Sequence, residues 1–332
     1  MNLRFYKCGA PFIVGGEKMK ICLNTDGLQE LSFEKMLDTA AEIGVESLEI
    51  ATGNWSPAPH IDLDEMIQNE DARKRFMDAI ERRGLTLEIL NCSGNSLDPR
   101  EEGRRHQEVI EKTFCLAEML GIKKIVMMSG LPGGGPDAKY PTWVTLCWPP
   151  IMPEMLAYQW EEVLIPYWEK MVKRATSLGI EKIALENHGA QCVYNAETFW
   201  KLRNEVGEVI GMNLDPSHLL FMGGDGIDMA RALGKEAIYH VHAKDCRKEK
   251  QHFAINGGLE TKPIEQCSER AWNYVALGYG QDDRWWKEFI SVLSMIGYEG
   301  PISMEIEDMT MPLEVGVRKS CEFLKRVMPR VF

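Results

Sequence analysis

An apolar run, a polar turn and an amphipathic stretch follow one another eight times between residues 19 and 327, several of the amphipathic stretches stop at a glycine, and no linker or low-complexity segment interrupts the series. These observations predict an α/β fold, a (β/α)8 TIM barrel with long loops after strands 4 and 7. The whole of 1–332 is expected to form one domain, with the barrel core at about 19–328 and 1–18 as an N-terminal extension.

In chain order, strands are predicted at 20–23, 46–51, 86–91, 124–128, 182–186, 211–215, 239–243 and 302–306. Each is short and largely apolar, as expected of parallel strands covered on both faces. Helices are predicted at 33–43, 64–83, 104–120, 156–178, 196–206, 228–233, 286–296 and 313–327. The seventh shows the spacing clearly: Trp286, Phe289, Ile290 and Leu293 recur at i, i+3, i+4 and i+7 along one face. Gly44, Gly84, Gly121, Gly179 and Gly297 stand where a left-handed helix cap wants glycine. Two segments break the rhythm. Residues 130–155 carry three consecutive glycines, several prolines, Trp143 and Trp148, and 246–283 form a second long, Trp-containing connection. Both follow strands, so both are expected over the C-terminal face of the barrel, as lids, binding loops or subunit contacts.

The chain has 332 residues, 45% hydrophobic and 27% charged, with a formal charge of -12. That balance excludes a collagen, a disordered tail and a disulfide miniprotein, and its acidity argues against a nucleic-acid partner. Nine scattered cysteines without a C-x-x-C pair read as reduced thiols. With no signal-like apolar segment and no membrane-length run, the expectation is a cytoplasmic protein with no membrane partner.

Four consecutive predicted strand ends carry ionisable residues: Leu185-Glu186-Asn187-His188, Asn213-Leu214-Asp215-Pro216-Ser217-His218, His240-Val241-His242-Ala243-Lys244-Asp245 and Met304-Glu305-Ile306-Glu307-Asp308. One buried polar residue is most often a satisfied structural group. Four on neighbouring strand ends converge on one small volume, where a divalent cation would relieve the repulsion between their carboxylates. Glu186, Asp215, His242 and Glu305 offer three carboxylates and one imidazole, which suits Mn²⁺ first, with Mg²⁺, Co²⁺ and Zn²⁺ also compatible. Of His240 and His242, only one is expected to face the barrel centre.

These motifs, together with Gly297-Tyr298-Glu299-Gly300-Pro301-Ile302-Ser303-Met304-Glu305, resemble the xylose-isomerase-like TIM barrels: sugar isomerases, ketose 3-epimerases, inosose dehydratases and, more distantly, AP endonucleases. The resemblance spans roughly residues 19–327. It implies Glu186, Asp215, His242 and Glu305 as metal ligands, Glu186 and Glu305 also as bases, and His218 as a substrate contact. Arg247 stands one place out of step with an arginine of the epimerases. The long fourth and seventh loops depart from the epimerase pattern and suggest a larger substrate, with Trp143, Trp148, Arg247 and Lys244 as further contacts and His188 with His218 as a reserve acid and base. In size the chain is also similar to the large subunit of the bacterial C-glycoside deglycosidases, which implies 3-oxo glycoside elimination beside a small partner subunit.

The expected chemistry is therefore metal-assisted removal of a proton next to a carbonyl, giving isomerisation or epimerisation, or elimination by a lyase if a leaving group lies β to the carbanion. A sugar or glycoside is the expected substrate, and a homo-oligomer or a hetero-oligomer the expected assembly. An AP-endonuclease-like phosphodiesterase lacks its cationic surface here, and a non-catalytic barrel leaves the clustered strand ends unexplained. Flavin or NAD use has no support, because Gly133-Gly134-Gly135 lacks the G-x-G-x-x-G pattern.

Overall fold

Strand pairing in the computed structural model, which describes residues 19–329, closes eight parallel strands into a barrel. In chain order the strands are β1 (Ile21–Asn24), β2 (Ser47–Ala51), β3 (Thr86–Asn91), β4 (Lys124–Met127), β5 (Lys182–Glu186), β6 (Ile210–Leu214), β7 (Ile238–Ala243), β8 (Asp245–Lys248), β9 (Trp272–Val275) and β10 (Ile302–Met304). The barrel order is β1-β10-β7-β6-β5-β4-β3-β2, while β8 and β9 pair antiparallel outside it. The eight barrel strands coincide with those predicted, within one or two residues at their ends. The predicted extension at 1–18 lies outside the described residues.

The helices pack their apolar faces on the outside of the barrel. Trp286, Phe289, Ile290 and Leu293 are all buried, as their spacing requires. All five of the expected glycine stops adopt positive φ, which is cheap for a residue without Cβ. The predicted helix over 64–83 is split at Asn69, whose side chain accepts a hydrogen bond from Ala72 N and starts a new helix, Glu70–Glu81. Inside the barrel, Ile89, Val126 and Ala184 form a small apolar cluster. They lie two residues before Asn91, Met128 and Glu186 and hence on the same strand faces, one layer beneath the mouth.

The two long connections are more ordered than their composition suggests. After β4, helical structure begins at Ile151, and its turns widen to a π-helix over Tyr158–Leu164. Within that stretch Gln159 is buried and donates to Pro132 O at 3.0 Å and Thr142 O at 2.6 Å, which pins the glycine-rich loop. After β7, the expected irregular loop contains the β8–β9 ribbon. Its return is anchored by Asp245, whose carboxylate accepts backbone N–H bonds from Gly278, Gly280 and Gln281.

Candidate metal centre at the barrel mouth

Glu186 is the last residue of β5, Asp215 follows β6, His242 is the penultimate residue of β7 and Glu305 follows β10. These strands are successive neighbours in the barrel, so their ends meet. Ligand atoms of all four side chains lie within 4.8 Å of one another. His242 Nδ1 is 3.2 Å from Glu305 Oε2 and 3.6 Å from Glu186 Oε2. Asp215 doubles as a helix cap: one oxygen accepts from Ser217 N at 2.7 Å, while its buried Oδ2 makes no hydrogen bond. His242 Nδ1 is likewise buried without a hydrogen bond. Both atoms face ionic neighbours, Asp215 Oδ2 at 3.3 Å from His218 Nε2 and His242 Nδ1 at 3.2 Å from Glu305, and with the three carboxylates they make a donor set suited to a divalent cation.

The electrostatics separate the carboxylates. Burial, followed by repulsion from Glu305, raises the pKa of Glu186. Burial also works against Glu305, but Lys244 and then His242 outweigh it and hold Glu305 well below the usual range. Lys244 itself is buried, 3.1 Å from Glu305 and 3.0 Å from Glu307, with its ammonium 4.3 Å above the Tyr274 ring. For His218, burial opposes protonation, yet Asp215 and Glu186 prevail and raise its pKa to about 9.

His218 donates from Nε2 to Glu186 Oε1 at 2.8 Å, and its Nδ1 lies 2.9 Å from the Tyr274 hydroxyl. Both nitrogens are thus engaged with protein, and the ring buttresses Glu186 from behind. His188 packs 4.1 Å from His218, centroid to centroid, and burial with repulsion from His218 lowers its pKa to about 3, leaving it neutral.

A cavity of ≈140 Å³ opens over this group, lined among others by Asp26, Trp55, Glu186, His188, Lys244 and Glu305. It is small beside the roughly 300–1,000 Å³ typical of drug-sized ligands. Of the four further substrate contacts expected, only Lys244 lines it. Trp143 lines a separate crevice of ≈190 Å³ with Trp160 and Tyr194, Trp148 is 72% exposed, and Arg247 pairs with Glu249 at 2.8 Å. The aromatic wall of the cavity is Trp55 instead, on the loop after β2. The loop after β2, residues 52–62, carries Gly53, Pro57 and Pro59 beside Trp55, but it is far shorter than the two long connections that stand out in the sequence.

The expectation that only one of His240 and His242 faces inward is corrected. Residues two apart share a strand face, so both rings enter the barrel. There they meet Glu49 of β2: His240 Nε2 is 2.8 Å from Glu49 Oε2, and His242 Nε2 is 3.1 Å from Glu49 Oε1. Glu49 lies in the middle of β2, not at a strand end. Its signal was a lone carboxylate inside the apolar run Leu48-Glu49-Ile50. Glu49, His240 and His242 form a second group whose ligand atoms lie within 4.8 Å. Among the described residues, no helix is long and apolar enough to cross a membrane.

Comparison with known proteins agrees with this architecture. The chain is 55% identical over 312 residues to the uncharacterized protein YfiH of Bacillus subtilis (strain 168), covering 93% of this chain and 99% of that protein. The probable 3-DHS dehydratase AsbF of Bacillus anthracis superposes with a TM-score of 0.63 at 17% identity, over 92% of this chain and 99% of its own. The IOLI protein with a bound zinc atom gives 0.63 at 19% identity, over 95% and 99%. A D-allulose 3-epimerase from Methylomonas sp. gives 0.60 at 16%, over 94% and 99%. At such identities these solved structures speak to the fold alone. Residues 37–327 match the family described as xylose isomerase-like TIM barrel, and with its closed eight-stranded barrel the chain belongs to that family.

Proposed function

We propose that this protein is a divalent-metal-dependent, sugar-active isomerase or epimerase that removes a proton from carbon next to a carbonyl. The observation that carries the reading is the meeting of Glu186, Asp215, His242 and Glu305 beneath a small cavity, with Asp215 Oδ2 and His242 Nδ1 left without hydrogen bonds. Those four residues would hold the ion, and we propose Mn²⁺. When bound, the ion polarises a substrate carbonyl and stabilises the negative charge that develops on its oxygen.

The remaining work belongs to the chain's own side chains. Glu186 and Glu305 both line the cavity and serve as ligand and base, one toward each face of the substrate carbon. His218 steadies Glu186 through its Nε2 bond. Lys244 keeps Glu305 ionised. Trp55 offers its face to a sugar ring. The small cavity favours a single sugar unit over a large glycoside. A D-allulose 3-epimerase and a probable 3-DHS dehydratase share this fold, and the IOLI protein that also shares it holds a zinc atom, which is in keeping with the reading.

The test uses purified, Mn²⁺-loaded protein in D2O with ketohexoses and, in parallel, 3-oxo O- and C-glycosides, following deuterium uptake next to the carbonyl by NMR. Uptake into a ketohexose is expected, and elimination from a 3-oxo glycoside would favour the lyase reading instead. Glu186→Gln and Asp215→Asn are expected to lose both metal and exchange. Full metal content in both variants would sink the assignment.

A further inference from the structure

We infer that Glu49 is the positioning residue for His242: it holds the Nε2–H of the imidazole so that Nδ1 is the nitrogen presented to Glu186, Asp215 and Glu305. The inference rests on the metal reading above and adds the ligand atom and the residue that fixes it. Glu49 lies on β2, across the barrel from β7, and is fully buried. A carboxylate in that position must be satisfied by donors. Its Oε1 accepts from Asn91 Nδ2 at 2.7 Å, its Oε2 accepts from Ser303 Oγ at 2.7 Å and His240 Nε2 at 2.8 Å, and His242 Nε2 is shared between the two oxygens at 3.1 and 3.2 Å.

Those four donors occupy the roughly four lone-pair sites of a carboxylate. No acceptor remains on Glu49 for a cation, which separates this trio from the group at the mouth although its atoms are similarly close. A ring nitrogen hydrogen-bonded to a carboxylate carries the proton. The neutral form of His242 therefore has its lone pair on Nδ1, the nitrogen that is buried without a hydrogen bond at 3.2 Å from Glu305. A carboxylate behind a ligating histidine fixes its tautomer and ring angle and makes its free nitrogen a better donor. His240, Asn91 and Ser303 in turn hold Glu49 still, so the arrangement is braced by strands β2, β3, β7 and β10.

The experiment measures Mn²⁺ affinity by isothermal titration for wild type, Glu49→Gln and Glu49→Asp, with folding checked by circular dichroism in EDTA. Glu49→Gln is expected to weaken binding about 10- to 100-fold. Glu49→Asp keeps the charge but shortens the reach, and an intermediate loss is expected. A second measurement needs no variant. In wild-type protein with 15N-labelled histidine and bound 113Cd²⁺, cadmium coupling is expected at Nδ1 of His242, with a retained proton at Nε2. Binding by Glu49→Gln within twofold of wild type, or cadmium coupling at Nε2, overturns the positioning role while leaving the metal site intact. A wild-type protein that binds neither ion overturns the metal reading and this inference with it.

Discussion

Replacing His218 by glutamine tests the electrostatic core of the site in the metal-free protein. The imidazole is fully buried, with Glu186 Oε1 at 2.8 Å and Asp215 Oδ2 at 3.3 Å. Burial penalises its charged form, but Asp215 and Glu186 more than compensate, and its pKa rises from 6.5 to about 9. Between those values the folded chain keeps a proton that the unfolded chain has released. Stability must therefore fall as pH rises through this window. The contribution is fully present below about pH 6.5 and is lost as pH approaches 9, and at 1.36 kcal/mol per pH unit it amounts to roughly 3 kcal/mol. His218→Gln can still donate one hydrogen bond but carries no titrating charge. Urea denaturation in EDTA between pH 6 and 9.5 should show the decline in wild type and a flatter curve in His218→Gln. Equal slopes in the two proteins would refute the reasoning, because the charge of His218 would then not be what neutralises Glu186 and Asp215.

Four further outcomes are expected. His242→Ala should lose bound Mn²⁺ by elemental analysis, whereas His240→Ala should retain most of it, since only His242 reaches the carboxylates at the mouth. Burial lowers the pKa of His240 to about 4 despite the pull of Glu49. The folded chain thus binds fewer protons than the unfolded one between about pH 4 and 6.5, and acidification through that range should cost wild type more stability than His240→Asn, by up to about 3 kcal/mol in a denaturant series. Trp55→Ala should raise KM roughly tenfold for whichever sugar undergoes the exchange, the loss of about 1.4 kcal/mol of ring contact, while Trp148→Ala should leave KM and kcat unchanged. Asp245→Asn places an amide N–H where the carboxylate accepts from four backbone N–H groups, and should lower stability by about 2–3 kcal/mol without altering metal content.

The eight strand-helix units are legible in local pattern alone, because burial against a helix or a sheet imposes a period that each short segment carries. The sequence also marked Glu186, Asp215, His242 and Glu305, since a charge at the end of a buried parallel strand is conspicuous wherever the strand lies in space. The partners of those residues were decided only by the closed barrel. Glu49 reaches His240 and His242 from the far side of the barrel, across 191 and 193 residues of chain. Tyr274 meets His218 only because the β8–β9 ribbon folds back over the mouth. Trp143 and Trp148, expected as substrate contacts for their place in a long loop, are placed by the fold in a neighbouring crevice and at the exposed surface. Local spacing fixes which face of an element is buried. Which buried faces oppose one another follows from strand order, register and closure, and these emerge from the packing of the whole chain.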